Sequence, residues 1–359
     1  MAEPRSALPD ARAWAGRRVL VTGHTGFKGA WLCLWLTAMG AEVSGLSRGI
    51  PTDPALFSLA RVGELVAHHE GDVRDPAAVA RAVAAARPEV VLHLAAQPLV
   101  RRSFGDPAGT YATNVMGTVH VLDAVRRAPA DVRAVVVATS DKCYANREWE
   151  WGYREDEPMG GADPYSSSKG AAELVVAAYR ASFFSGPGAP AVATARAGNV
   201  IGGGDWGADR LLPDLFRAAL DEAPLRLRNP DAVRPWQHVL SPLAGYLRLA
   251  EALADGTPGA AGGWNFGPAE DDARPVRWIA ERLAALWDAP LRWEADPGPH
   301  PHEAHWLKLD SSRARARLGW APRWDLGEAL ARTADWYRAH RDGADHRETT
   351  LGQIRAYGA

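Results

Sequence analysis

A short β-rich run, residues 17–22 (RRVLVT), leads straight into Gly23-His-Thr-Gly26-Phe-Lys28-Gly29 and then into an apolar helix that the pattern carries through Met39. Strand, glycine turn and helix in that order constrain the fold more than any other feature. Such a turn lets backbone N–H groups and the helix N-terminus approach a diphosphate, because glycine removes the side chains that would keep it out. The alternation then continues. Residues 42–46 read as a strand, 75–86 as a helix, 89–94 as a buried strand and 113–127 as a helix; 134–139 reads as a strand, 166–182 as a helix and 191–196 as a strand. Strands alternating with helices imply βαβ units and a parallel sheet, and continuously apolar strands suit a sheet covered on both faces.

The expected fold class is therefore α/β, a Rossmann-type doubly wound parallel sheet. After about Val200, loops rich in Gly, Pro and Trp alternate with short helices at 211–220 and 275–286, which reads as a smaller C-terminal lobe over the sheet edge. The expected divisions are a loose leader at 1–15, a dinucleotide-binding domain at 16–200, a mostly substrate-binding lobe at 201–340 and a tail at 341–359. Segments 254–263 and 341–346 read as solvated linkers. The 41 basic and 43 acidic residues leave a net charge of −2, which argues against a nucleic-acid partner. Residues 1–10 contain no apolar core of a signal peptide, and the most apolar stretch, 30–40, is too short to span a bilayer. Cys33 and Cys143 fit no zinc or disulfide framework, so a reducing cytosol is expected.

An acid that would hold a ribose is expected at the end of the second strand. Ser47 and Arg48 stand there instead, and an arginine could accept a 2′-phosphate, so NADP stays open beside NAD. Tyr165-Ser-Ser-Ser-Lys169 puts a phenol and an ammonium on one helix face, where the cation is expected to favour the phenolate. Ser140-Asp141-Lys142 follows the strand before that helix and adds an acid and a second lysine. The run His300-Pro-His302-Glu303-Ala-His305 looks superficially like a metal cluster, but proline breaks the helical spacing, and no metal is expected. Cys143 has no histidine beside it in sequence and reads as buried filler.

Several longer motifs carry a resemblance: Gly23-His-Thr-Gly-Phe-Lys-Gly-Ala-Trp31, Ala95-Ala-Gln-Pro-Leu-Val-Arg101, Thr139-Ser-Asp-Lys-Cys-Tyr144, Asp163-Pro-Tyr-Ser-Ser-Ser-Lys169, the run Ala195 to Trp206, and Arg234-Pro-Trp-Gln-His238. Together they resemble the extended short-chain dehydrogenase/reductases, the NAD-dependent epimerase/dehydratase family, and within it the CDP-glucose 4,6-dehydratases. The likeness runs from about Arg17 to Trp324. It implies a cofactor site made of Gly23, Gly26, Phe27, Lys28, Gly29, Ser47, Arg48, Asp72, Val73, Leu94, Ala95, Ala96, Tyr165 and Lys169, with NAD the expected cofactor. It implies a Ser140, Tyr165 and Lys169 triad, with Lys169 also on the nicotinamide ribose.

A 4,6-dehydratase oxidises C4 of the hexose, removes a proton from C5, expels the C6 hydroxyl as water and returns hydride to C6. It therefore needs an acid and a base beyond the tyrosine. Asp141 matches the acid of that group. Lys142 stands where the dTDP-glucose enzymes carry glutamate; it is a candidate C5 base, with a structural or substrate-binding lysine as the alternative. Gln97, Asn199, Arg210, Arg234 and His302 are the implied contacts of a nucleotide-sugar substrate, Arg234 on a closer match than Arg210. Another nucleotide-sugar dehydratase, a 4-epimerase and a non-catalytic dinucleotide sensor remain rival readings; Asp141–Lys142 speaks against the epimerase and the intact triad against the sensor. The resemblance also implies a homodimer or homotetramer, pairing through the helices at 113–127 and 166–182.

Overall fold

The computed structural model describes residues 7–128, 131–289, 291–296, 298 and 306–359. Its strands in chain order are β1 (Arg18–Thr22), β2 (Glu42–Ser47), β3 (Ala67–Glu70), β4 (Val90–His93), β5 (Ala134–Ala138), β6 (Ala191–Arg196), β7 (Asn199–Ile201), β8 (Leu225–Leu227), β9 (Val233–His238), β10 (Gly262–Asn265), β11 (Ala273–Pro275) and β12 (Trp293–Ala295). Seven of them form one parallel sheet in the order β10-β6-β5-β4-β1-β2-β3. The chain winds outward from β1 to β3, then restarts at β4 on the other side of β1. That reversal opens a crevice at the C-terminal ends of β1 and β4, where doubly wound sheets bind their ligands.

Alternate residues of β1 feed two cores: Val19 and Val21 one, Leu20 the other. Both faces of the sheet are therefore covered, as the unbroken apolar strands require. Asp75 and Asp163 cap the helices Pro76–Ala86 and Pro164–Phe183, each followed by a proline whose missing N–H costs the first turn nothing. The expected helix at 113–127 begins with a wider π-type turn over Ala112–Met116 before Gly117–Arg127. The remaining strands build the lobe, as the three-stranded sheet β11-β9-β7 and the pair β12-β8.

Three expectations about chain organisation differ from the structure. Within the segment expected to be a loose leader, Ala11–Trp14 is a helical turn, and Trp14 is fully buried with its indole N–H donated to Glu251 at 2.7 Å. Burying an indole is enough to tie down a short terminus. The main sheet is not complete by residue 200, because β10 starts inside the expected linker 254–263 and pairs with β6. Its sequence, Gly-Gly-Trp-Asn, carries a weak strand signal since glycine weakens a strand on its own. The expected tail contains the helix His346–Gly358, with Tyr357 buried edge-on to Trp35 at 6.0 Å between ring centroids. Among the described residues no helix is long and apolar enough to cross a membrane.

Candidate active site

The crevice is shaped by absent side chains. Gly23 ends β1 with φ at +74°, and a Cβ there would lie 2.7 Å from the backbone nitrogen of Ala95 in the loop after β4. A Cβ on Gly29 would run into the carbonyl oxygen of Gly23. Gly26 starts the helix Phe27–Ala38 with no side-chain cap, so the first-turn N–H groups keep their capacity for an anion. Leu94 and Ala95 are fixed across the crevice by Thr22, the first to its carbonyl at 3.1 Å and the second to its hydroxyl at 3.2 Å. A dinucleotide diphosphate fits this cradle, which any larger residue would fill.

At the far rim, Ser47 shares a 2.7 Å hydrogen bond with Thr25. Arg48 reaches Asp72 at 3.5 Å, and Asp72 also holds Arg74 at 2.6 Å. Burial works to raise the Asp72 carboxyl, but hydrogen bonds from Arg74 and the charge of Arg48 win and hold it below the usual range. Val73 is buried beside Gly117, and its carbonyl meets His120 at 2.8 Å. Gln97 departs from the expectation of a substrate contact. Its side-chain amide donates to Leu99 and Thr110 and accepts from Leu99, so it is committed to holding its own loop.

The second half of the site gathers after β5. Ser140 donates to Asp141 at 2.9 Å, accepts the backbone N–H of Lys142 at 3.2 Å and stands beside the Tyr165 hydroxyl, toward which its own hydroxyl can turn. Asp141 is buried, and Gly198 beside it leaves the space its carboxylate occupies. Lys142 is half-buried in the short turn Asp141–Cys143. The expected effect of Lys169 on Tyr165 does not dominate here. The ammonium donates instead to the carbonyl of Ala138 at 3.3 Å. Burial pushes the Tyr165 phenol up to about 12, Asp141 adds to the rise, and only the Ser140 hydrogen bond and the Arg210 charge pull it back. Burial brings Lys169 down to about 8.

Of the substrate candidates, Arg210 is held by Asp205 at 2.9 Å and lies within the field of Tyr165. Arg234 in β9 donates to the carbonyl of Val233, and Asn199 opens β7, in register with Trp236 of β9. His302 and the rest of the 300–305 run lie outside the described residues. Among the described residues no cluster of His, Cys, Asp or Glu is arranged to hold a metal ion.

Beneath the catalytic groups lies a polar floor that sequence reasoning missed. Glu173, one turn beyond Lys169, pairs with Arg196 of β6 at 2.7 Å and also accepts from Thr139 and Thr194. Arg196 donates to Tyr144 at 2.7 Å, and Tyr144 to Asn265 of β10 at 2.7 Å. Tyr246, on the helix Leu240–Ala254, was also missed; it is buried, and its hydroxyl has no hydrogen-bond partner among the described residues. A phenol inside a mostly apolar helical run was the available signal.

The NAD dependent epimerase/dehydratase family matches this chain over residues 19–262. The CDP-glucose 4,6-dehydratase of Salmonella typhimurium is 52% identical over 94% of this chain and 94% of its own length. The dTDP-glucose 4,6-dehydratase of Streptomyces griseus is 30% identical over 90% of this chain and 94% of its own. The crystal structure of Thermus thermophilus UDP-glucose 4-epimerase in complex with NAD superposes with a TM-score of 0.72 at 25% identity, covering 89% of this chain and 99% of that one. A glycine cradle at the sheet's switch point and a Ser-Tyr-Lys set after β5 agree with these likenesses, and the chain belongs to the NAD dependent epimerase/dehydratase family.

Proposed function

We propose that this chain converts CDP-glucose to CDP-4-keto-6-deoxyglucose and water. The observation that carries this reading is Asp141: a buried carboxyl one residue from Ser140 and joined to it, where a simple oxidation or epimerisation needs no second acid. The 52% identity to a CDP-glucose 4,6-dehydratase supports the choice of nucleotide. Gly23, Gly26, Phe27 and Gly29 hold the dinucleotide diphosphate, Lys28 lines the cofactor site beside them, Ser47, Arg48, Asp72, Val73 and Leu94 to Ala96 line its adenosine half, and Lys169 takes the nicotinamide ribose. When bound, NAD supplies the hydride acceptor and later the hydride donor. Ser140 holds the C4 oxygen and Tyr165 takes its proton. Lys142 removes the C5 proton, made acidic by the C4 ketone. Asp141 gives a proton to the departing C6 oxygen. Asn199, Arg210 and Arg234 bind the sugar nucleotide, guanidinium being suited to phosphate oxygens.

NAD is the working cofactor in this reading. Arg48 is already engaged by Asp72, whose carboxylate repels a 2′-phosphate. Purified protein should retain NAD; a mostly NADP-loaded protein would refute the assignment. The chain pairs as a homodimer. Tyr111, Met116, Leu174 and Phe183 leave large apolar surface exposed on or beside the helices Gly117–Arg127 and Pro164–Phe183. A solution mass of one chain would refute this, and four chains would extend it. Both cysteines are buried free thiols, which suits the cytoplasm.

The deciding experiment offers CDP-, dTDP-, UDP- and GDP-glucose to the purified protein and compares specificity constants for 4-keto-6-deoxy product. CDP-glucose should lead. Substrate deuterated at C4 should give product deuterated at C6; loss of the label to solvent or free cofactor would end the closed-cycle mechanism.

A further inference from the structure

Two polar groups beside the catalytic cluster have unmet demands, and they adjoin each other. Lys28, in the first turn of the helix Phe27–Ala38, has no hydrogen bond or ion pair on its ammonium among the described residues. Its Nζ lies 5.9 Å from the centroid of the Tyr246 ring, within reach of a cation–π attraction. Tyr246 itself is buried, its hydroxyl unpartnered among the described residues, and it feels the charges of Tyr165 and Asp141. The ammonium in turn feels Arg210, Lys169, Asp141 and Asp205. Lys28 is therefore half-buried in the first turn of the helix after the glycine turn, its ammonium over the Tyr246 ring and within the field of the catalytic groups.

We infer that Lys28, held over the Tyr246 ring, is a positioning charge that biases bound nicotinamide toward its reduced form. The inference rests on the cofactor reading above. When the C4–H bond of the sugar breaks, both electrons pass with the hydrogen to the nicotinamide ring, and the hydroxyl proton goes to Tyr165. The ring's formal charge falls from plus one to zero. A fixed positive charge nearby disfavours the cationic ring and leaves the neutral ring untouched, so it favours that transfer. Burial and the neighbouring cations bring Lys28 down to about 8, which still leaves it mostly charged at pH 7. The consequence suits a dehydratase, in which the hydride must stay on the cofactor while water leaves.

The rival role for Lys28 is an ordinary diphosphate contact, since a first-turn side chain points back toward the helix N-terminus. The two roles separate cleanly. Oxidised and reduced dinucleotides carry the same diphosphate, so a phosphate contact affects both equally. Full-length protein is equilibrated with mixtures of NAD and NADH, separated rapidly by gel filtration, and the bound dinucleotides are quantified. The preference of Lys28→Met for NADH over NAD should fall on the order of tenfold relative to wild type. For a two-electron couple that is about 30 mV lower in bound reduction potential. Lys28→Arg should keep the wild-type ratio. Lys28→Gln, a polar residue better suited to a half-buried position, should repeat the Met result if the Met variant folds poorly. An unchanged ratio overturns the inference, whether total binding falls or not. A wild-type protein that binds neither dinucleotide overturns the cofactor reading and this inference with it.

Discussion

The glycine crevice and the polar floor under Tyr165 meet at one site but are built on opposite principles. The crevice works by leaving atoms out: Gly23, Gly29 and Ala95 keep backbone close to backbone, and what remains is room and N–H groups. The floor works by putting charge in, with Glu173 and Arg196 buried as a hydrogen-bonded pair beside Lys169 and a second acid, Asp141, near it. One region is specified by size and the other by charge. Swaps that keep size but remove charge should therefore damage the floor, and additions of size without charge should damage the crevice.

The largest expected effect removes an ionisable group at constant size. Asp141→Asn keeps the shape but loses the transferable proton, so expulsion of the C6 hydroxyl should slow by about 10²–10⁴-fold. Oxidation at C4 should slow much less, and reduced nicotinamide should accumulate in a single turnover, visible by its absorbance. Tyr165→Phe should show no reduced cofactor at all. Normal dehydration by Asp141→Asn, or failure even to reduce the cofactor, would break the assignment of the acid and the contrast with it.

Next comes the floor itself. Arg196→Met leaves Glu173 as an unpaired buried carboxylate, which typically costs about 3–5 kcal/mol. Chemical denaturation should read that loss directly. A loss below about 1 kcal/mol would mean that water reaches Glu173 and that the floor is not the dry ion pair the distances describe.

How far these two regions were legible in sequence follows from the same contrast. The crevice announces itself locally, because strand, glycines and helix lie within a few consecutive residues, and β6 at Ala191–Arg196 is bounded as expected because Val192, Ala193 and Ala195 give it an apolar signal. The floor joins Glu173 to Arg196 and Tyr144 to Asn265, partners far apart in the chain, and no local pattern reports such a pair. The pattern gave no bounds for β3, Ala-His-His-Glu, because an edge strand open to solvent needs no apolar alternation. Tyr165 and Lys169 were legible as one helix face, but not which acceptor the ammonium would choose; Ala138's carbonyl took it. Arg210 was the weaker motif match, and the Asp205 that holds it at 2.9 Å is a contact and not a motif, so no local pattern reports it.

The crevice can be challenged in turn by adding one methyl group. Gly29→Ala places a Cβ against the carbonyl of Gly23, backbone against which a side chain cannot rotate away. Overpacking of this kind costs roughly 1–3 kcal/mol. The dinucleotide should bind more weakly as the turn shifts, while Asp141 chemistry in whatever fraction remains loaded is unchanged. Titration of NAD against the variant checks the first part and single-turnover rates on loaded protein the second. Tight binding by Gly29→Ala would show that the turn relaxes freely and that size does not specify it.

The smallest expected effect falls on the charged rim of the crevice. Arg48 is half exposed and its partner Asp72 lies at 3.5 Å, the geometry of a screened surface pair worth at most about 1 kcal/mol. Arg48→Ala should therefore change NAD affinity less than about fivefold, the equivalent of that energy. Asp72 keeps Arg74, so the carboxylate does not become an unpaired charge when Arg48 goes. The double substitution Arg48→Ala with Asp72→Asn sharpens the point. It removes both the cation that could meet a 2′-phosphate and the carboxylate that repels one, and the ratio of NAD to NADP affinity then reads which of the two had governed. If Asp72 governs, Arg48→Ala leaves the preference for NAD intact and the double variant relaxes it. If Arg48→Ala alone weakens NADP far more than NAD, the arginine is a phosphate contact, and charge specifies the rim of the crevice as it does the floor.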